Sequence, residues 1–547
     1  MHLFDAHPAG RHPAVPPEAR AAAARRPGPA PGTDSGAASG TTPATAGDGR
    51  VFVPSVDERT LDVYARARDP RDAFELRDLW LGRVEHETGG DGRPWLAEGW
   101  RRAPVRRAAH PDEILSSRAT VRFVKELFNW YFRDDLYGRL RPQVAVVLSS
   151  GSVSEEAWGL PETLKSCLHH ALDADWSGRA ARRGRRTARE AVAAYESARI
   201  AGPGYTADNV ALTLGGTASI ASLADHILRG DARRRPALCG VPNYPPLVES
   251  VARRGEVRLV PLPCRAGRVG LDPLIRALGP DTPMVLLQTV TNPTGALVPE
   301  DEIARLVRAA SPTTAVVLDE CHEWLGPVGT FAPARAAPNV IRVSSLSKTW
   351  SVPGLKAGWL LADARFVADY LSRADAVGPP PLYDTLLEVL ARMERWLLAG
   401  VESPGAGLVA EIAASHAVDA RRLAEAYRGY RAERLARDLA LRTLRDAAVA
   451  GLTEATATVV PPHYSINAAV EFPGWDDSYR CFRELLAETG VSVFPGILTF
   501  CFSGGAVRVT TARSWPDLAT ALALLRGRFA AAPSVPRAGP AQGPPAR

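Results

Sequence analysis

The sequence predicts an α/β fold built on a mainly parallel sheet. From about residue 205, short apolar runs alternate with amphipathic stretches of ten or so residues, which is the pattern of βαβ units. Several of these runs also pass straight into helix-start signals. In order, "NVALTL" is a strand that enters "GGTASIASLADHILRG", a Gly-rich turn opening a helix. "ALCGVP" and "EVRLVPL" are strands flanking a helix over 245–254, and "PMVLLQTV" is a buried strand. "PEDEIARLVRAA" is a helix with acids in its first turn, where they complement the helix dipole. "TAVVLDE", "NVIRVSSLS" and "AGWLLA" complete the set of strands.

The flanks read differently. Residues 1–50 and 531–547 are rich in Pro, Ala and Gly and are predicted to be disordered tails, because they cannot bury enough apolar surface. Residues 51–140 form an N-terminal extension with tryptophans at Trp80, Trp95, Trp100 and Trp130. Within it, "TVRFVKELFNWYFRDDLYGRL" places Val121, Val124, Leu127, Phe128, Tyr131 and Phe132 at helical spacing. That aromatic stripe is expected to pack against the rest of the protein or a partner subunit, and no chemistry is assigned to the extension. The Arg-rich stretch that follows Val418 is expected to be a long connecting helix with a solvated charged face.

Composition narrows the function. Hydrophobic content of 46% and charged content of 23% are ordinary for a globular protein. The net charge of +6 comes from arginines interleaved with acids, not from a basic block with aromatics, so no nucleic-acid partner is expected. The six cysteines lie far apart without a CxxC pair or a metal-ligand spacing, which predicts no metal site and a reducing, cytoplasmic setting. No run approaches the roughly 20 apolar residues a membrane span needs, and no signal peptide is evident.

Only four of the 66 basic residues are lysine: Lys125, Lys165, Lys348 and Lys356. Arginine stays charged and cannot serve as an amine nucleophile, whereas lysine can lose its proton and form a Schiff base. Two of the four fall in "SSLSKTWSVPGLKAGW", directly after a predicted strand. In parallel α/β sheets ligands bind beyond the carboxyl ends of the strands. The residues there are Gly216 and Thr217 in a helix-opening turn suited to a phosphate, then Tyr244, Asn292, Asp319 with His322, and Lys348. A phosphate cradle, an aromatic, an asparagine, a carboxylate and a lysine together suit a phosphorylated, aromatic, aldehyde-bearing cofactor with a ring nitrogen.

These residues carry a resemblance to the fold-type I pyridoxal phosphate (PLP)-dependent class I/II aminotransferase family, from about Val146 to Leu525. It rests on "NPTG" at 292–295, "DExH" at 319–322 and "SxSKxxxxxGxKxGW" from Ser345, in that order and at the family's separations. The resemblance implies a large domain of about 195–375, with helices on both sheet faces, and a smaller α+β domain from 141–194 plus 376–530. It implies that Lys348 holds PLP as an internal aldimine and moves the substrate proton, and that Asp319 keeps the ring nitrogen protonated. It further implies that Asn292 and His322 face the ring's phenolic oxygen, that Tyr244 stacks on the ring, and that Gly216, Thr217, Ser345 and Lys356 bind the phosphate, with Ser347 a weaker candidate. In "GGAVRVTTARS", Arg508 is the implied partner of the substrate α-carboxylate, and Gly151 in "SSGSVS" lies in the implied substrate loop.

The implied activity is transfer of an amino group from an α-amino acid to a 2-oxo acid by a homodimer. Three positions depart from the family pattern. Histidine stands at 322 where the family has tyrosine, and titrates near neutral pH unless its surroundings shift it. Lysine stands at 356 where the family has arginine, and no tyrosine occurs near Trp176–Ala180. The same cofactor supports decarboxylation, elimination, cyclisation or oxidation, and a non-catalytic PLP-binding regulator is the alternative from another class.

Overall fold

The computed structural model of the chain describes residues 3–4, 15–25, 51–89, 92–154, 158–173, 183–202, 204–229, 235–325, 330–348, 350, 352–373, 382–463 and 466–530. Its centre is a seven-stranded sheet. In chain order the strands are β1 (Val210–Thr213), β2 (Ala237–Val241), β3 (Val257–Pro261), β4 (Met284–Gln288), β5 (Ala315–Asp319), β6 (Val340–Ser345) and β7 (Gly358–Leu361). Across the sheet they run β1-β7-β6-β5-β4-β2-β3. All neighbours are parallel except at β7, which is antiparallel to both β6 and β1. Every strand read from the sequence is present.

Successive side chains of a strand point to opposite faces, and both faces here are covered. Met284 and Leu286 of β4 enter one core together with Ile220, Leu223 and Val248, while Val285 and Leu287 enter another with Leu274, Ile303 and Leu306. The first of these cores lies beneath α1 (Arg118–Trp130), α2 (Gly216–Leu228) and the short helix Pro245–Ala252. Each buried Val, Leu or Phe in such a core contributes about 1.5–3 kcal/mol, so the extension is held to the sheet by its own apolar stripe.

A second sheet carries strands Thr458–Val459, Asn467–Glu471, Val507–Thr510 and Phe494–Pro495, in that order. Beside it, Val146–Val147 pairs in parallel with Val491–Ser492. This is the smaller α+β unit, but its boundary differs from the expected one. Helices Glu162–Leu172, Arg186–Ala198 and Leu382–Leu398 share a core with Val210, Leu212, Trp359 and Leu361 of the large sheet. Their apolar faces match the sheet edge at β1 and β7, so segments expected in the small domain sit on the large one.

Two further expectations are corrected. The stretch 1–50 is not disordered throughout: Pro17–Ala24 is a helix that buries Ala19 and Ala22, and Leu3 is buried, its N–H donating to Ala417 O. Residues 531–547 lie outside the described residues. The Arg-rich helix, α3 (Ala420–Glu454), is present, with Asp419 capping it through the N–H groups of Arg421 and Arg422. Its charges are not all solvated, however. Arg434 and Arg437 are each 2% exposed. Arg434 pairs with Glu394 at 3.2 Å and with Asp438, and Arg437 donates to Trp158 O and Gly159 O. A long helix crossing several elements buries part of its charged face, and the buried guanidiniums persist because acids and carbonyls receive them. Among the described residues no helix is long and apolar enough to cross a membrane.

Candidate active site

A cavity of about 250 Å³ opens at the carboxyl edge of the large sheet and faces the smaller unit. The topology explains its lining. The parallel strands β1, β2, β4, β5 and β6 all end at this edge, so the residues just after them converge. The antiparallel β7 begins there, which brings in Lys356, two residues before Gly358. Gly216 and Thr217, Tyr244, Asn292, Asp319 and His322, Ser345, Lys348 and Lys356 all border this cavity. Gly151 and Arg508 reach it from the smaller unit, Arg508 from strand Val507–Thr510. All the site residues predicted from the sequence therefore meet in one place.

Lys348 is half-buried, and its Nζ donates to Gly151 O at 2.7 Å. Burial, reinforced by the nearby Arg508 charge, lowers Lys348 from the ordinary lysine value to about 8. Asp319 closes β5 and is held on both oxygens: Gln288 Nε2 donates to Oδ2 at 2.9 Å and the Cys321 N–H to Oδ1 at 3.2 Å. His322 is buried, and desolvation together with the charges of Lys348 and Arg508 lowers it to about 3. The neutral-range titration expected of an exposed histidine is thus abolished by its surroundings. Burial also raises the Cys321 thiol well above the usual range, with the Asp319 charge adding to the shift.

Arg508 is positioned from three sides. Its Nη2 donates to Ser149 O at 2.9 Å, its Nη1 to Asn292 Oδ1 at 3.1 Å, and its guanidinium lies over the Phe494 ring at 4.0 Å. Burial lowers it to about 10. Gly151 has φ of +63°, and a Cβ there would lie 2.6 Å from Arg508 Nη2. Glycine is needed for both the backbone turn and the close approach. Its N–H donates to Thr510 Oγ1 at 2.9 Å, which ties the loop to the strand that carries Arg508.

The sequence reading missed several lining residues. Gln288 was legible as the one polar residue ending the apolar run of β4. Asn467 gave no sequence signal. Phe128 and Phe132 were noted only as part of a packing stripe, yet both border the cavity. The segment around Trp176–Ala180, where the family's tyrosine was sought, lies outside the described residues.

Class I and II aminotransferases depend on PLP, and the lining fits that group. The first N–H groups of α2 have no partner within their helix, and Gly215 precedes them at φ +87°. Ser345 and Lys356 lie beside this anion site. Among the described residues, Gln288 Oε1, Asn467 Nδ2 and Arg508 Nε of the cavity lining are buried without hydrogen-bond partners, which is compatible with a polar ligand there.

Comparison with known proteins agrees. The chain is 33% identical over 121 residues to histidinol-phosphate aminotransferase 2 of Ralstonia nicotianae, covering 21% of this chain and 32% of that protein. It is 27% identical over 295 residues to the probable N-succinyldiaminopimelate aminotransferase DapC of Mycobacterium tuberculosis, covering 50% and 63%. The match thus spans about a third to under two thirds of these relatives. Among solved structures, the aspartate aminotransferase of Thermus thermophilus superposes with a TM-score of 0.55 at 24% identity, over 71% of this chain and 93% of that one. The N-succinyldiaminopimelate aminotransferase of Mycobacterium tuberculosis gives 0.56 at 23% identity, over 71% and 99%. These two likenesses establish the fold. The family model for aminotransferase class I and II matches residues 144–523, and with the cavity and its lysine in place the chain belongs to the class I and II aminotransferase family.

Proposed function

We propose that the protein transfers the amino group of an α-amino acid to a 2-oxo acid, with Lys348 as the residue that holds PLP covalently. One observation carries the reading. Lys348, Asp319, Asn292 and Arg508 line a single cavity at the carboxyl edge of the sheet, and the lysine is lowered to about 8. When bound, the cofactor supplies an electron sink for the carbanion formed at the substrate Cα.

The chain's own residues do the rest. Lys348 Nζ, lowered to about 8, would take the proton from the substrate Cα and deliver it to the cofactor's aldehyde carbon within the same half of the cycle, the reverse transfer serving the other half. Asp319, fixed by Gln288, presents an anion to the ring nitrogen. Arg508 receives the α-carboxylate through two parallel hydrogen bonds, which sets the direction of the Cα–H bond. Asn292 and the neutral His322, both lining the cavity, would face the phenolic oxygen. The helix start at Gly216 and Thr217, with Ser345 and Lys356, would hold the phosphate, and Tyr244 would lie against the ring. Lys356 supplies a point charge where the family has a bidentate fork. The same reading takes the protein as a cytoplasmic homodimer.

Borohydride reduction of the cofactor-loaded protein tests the attachment: the stable adduct is expected on the peptide bearing Lys348. A screen of amino donors with mass spectrometry of the products tests the reaction. A keto acid with an aminated acceptor is the expected outcome; release of CO2, ammonia alone or peroxide would replace transamination with another PLP reaction. Light scattering is expected to give twice the chain mass.

A further inference from the structure

We propose that Phe128 and Phe132, from the N-terminal extension, form the side-chain pocket of the amino substrate, and that the substrate therefore carries an apolar or aromatic side chain. The inference rests on the functional reading above and adds its substrate class. Helix α1 lies outside residues 144–523, the part matched by the family. Its capping residue Ser117 accepts from the Ala119 N–H, and its stripe of Val121, Val124 and Leu127 is fully buried, so the helix is fixed against the body of the protein. The chain then widens into π-helical turns from Tyr131, interrupted by a kink at non-helical Gly138, and is anchored where Tyr131 OH donates to Val493 O at 2.9 Å. That arrangement leaves Phe128 and Phe132 partly buried at the cavity wall.

Phe128 stands between the two groups that orient a substrate. Its ring meets Tyr244 edge-on at 6.0 Å and Phe494 edge-on at 6.0 Å, and Phe494 is the ring on which the Arg508 guanidinium rests. Phe132 meets Phe128 edge-on at 4.9 Å. An amino acid with its carboxylate on Arg508 and its nitrogen beside Lys348 fills the space these rings border. The charged or titratable side chains lining the cavity are Asp319, Cys321, His322, Lys348, Lys356 and Arg508, besides Tyr244. On the functional reading above each of the charged ones has a role toward cofactor or carboxylate, so among the described residues the lining offers no spare charge to a polar side chain. Edge-to-face aromatic pairing adds to the gain from area burial, so an aromatic side chain would be favoured here beyond its apolar contact.

The test compares wild type with Phe128→Ala and Phe128→Trp. The first readout is calorimetric binding of 3-phenylpropionate against acetate, which requires no turnover. Wild type is expected to bind the aromatic acid more tightly, and Phe128→Ala to lose about tenfold of that preference, the scale on which apolar pockets discriminate. The second readout is KM and kcat for phenylalanine, leucine, alanine and aspartate. Phe128→Ala is expected to raise KM for the two large apolar donors while leaving that for alanine within about twofold. Phe128→Trp, which keeps an aromatic packing residue, is expected to exclude phenylalanine and retain alanine. A wild type that prefers aspartate, or variants that change every donor equally, would overturn the inference. Failure of borohydride to fix any cofactor would instead strike the functional reading, so the two failures are separable.

Discussion

Lys348 Nζ and Gly151 O are 2.7 Å apart although 197 residues of sequence separate them. This contact joins the large sheet to the smaller unit at the point of chemistry. It places the amine beneath the loop that also flanks Arg508, so a change at either residue is felt by the other.

Gly151→Ala tests that junction. Its left-handed backbone disfavours an L side chain by about 1–2 kcal/mol, and the new Cβ would press on Arg508. The variant is expected to melt earlier and to bind carboxylate substrates at least tenfold more weakly, the scale of a lost oriented contact, as read by thermal denaturation and KM.

The lowered Lys348 gives a pH dependence with a defined sign. The protonated amine is the disfavoured form inside the cavity. Between about pH 8 and the ordinary lysine range near 10.5 the unfolded chain binds more protons than the folded one. Stability of the cofactor-free protein should therefore rise with pH across that window, and the penalty is fully present below it. Since only the neutral amine attacks an aldehyde, cofactor uptake followed by absorbance should quicken about tenfold per unit up to pH 8 and then level off. His322, held to about 3, should show no imidazole titration between pH 5 and 8 by NMR.

Arg508→Lys keeps the charge and loses the fork. KM for amino donors is expected to rise about ten- to a hundredfold, a loss of roughly 1.4–3 kcal/mol, with the borohydride adduct at Lys348 unchanged.

Asp319→Asn should retain cofactor and lower kcat by about 10²–10⁴-fold. Gln288→Ala, which frees one carboxylate oxygen without removing the anion, should give a smaller loss and a shifted absorbance maximum of the bound cofactor.

Arg434→Ala tests the charge buried in α3. Removing one partner of a buried pair costs about 3–5 kcal/mol, here by leaving the buried Glu394 with only the Tyr430 hydroxyl as a donor among the described residues. Denaturant unfolding should shift to lower concentration, whereas KM should hold, because neither residue borders the cavity.

The sheet was legible because fully buried strands leave unbroken apolar runs, and the site was legible because strand ends in a parallel sheet converge on one edge. Asp319, Asn292 and Lys348 could be read from their place after such runs. The place of Phe128 and Phe132 at the cavity wall could not. An aromatic at helical spacing looks the same in sequence whether it meets a core or a cavity, and only the packing of α1 on the sheet decides. The burial of Arg434 and Arg437 was hidden for a similar reason, since their acceptors Glu394 and Trp158 are distant in sequence. The domain boundary failed because helices Arg186–Ala198 and Leu382–Leu398 choose their sheet by shape, which composition does not record.

Helix α1 is a wall contributed from outside residues 144–523, the segment matched by the family. A shortened protein beginning at residue 144 would keep its lysine, its carboxylate and its phosphate cradle, but one flank of the chamber would stand open to water. Replacing residues on that single helix would then be a way to alter what the chamber admits while leaving the residues at the strand ends in place.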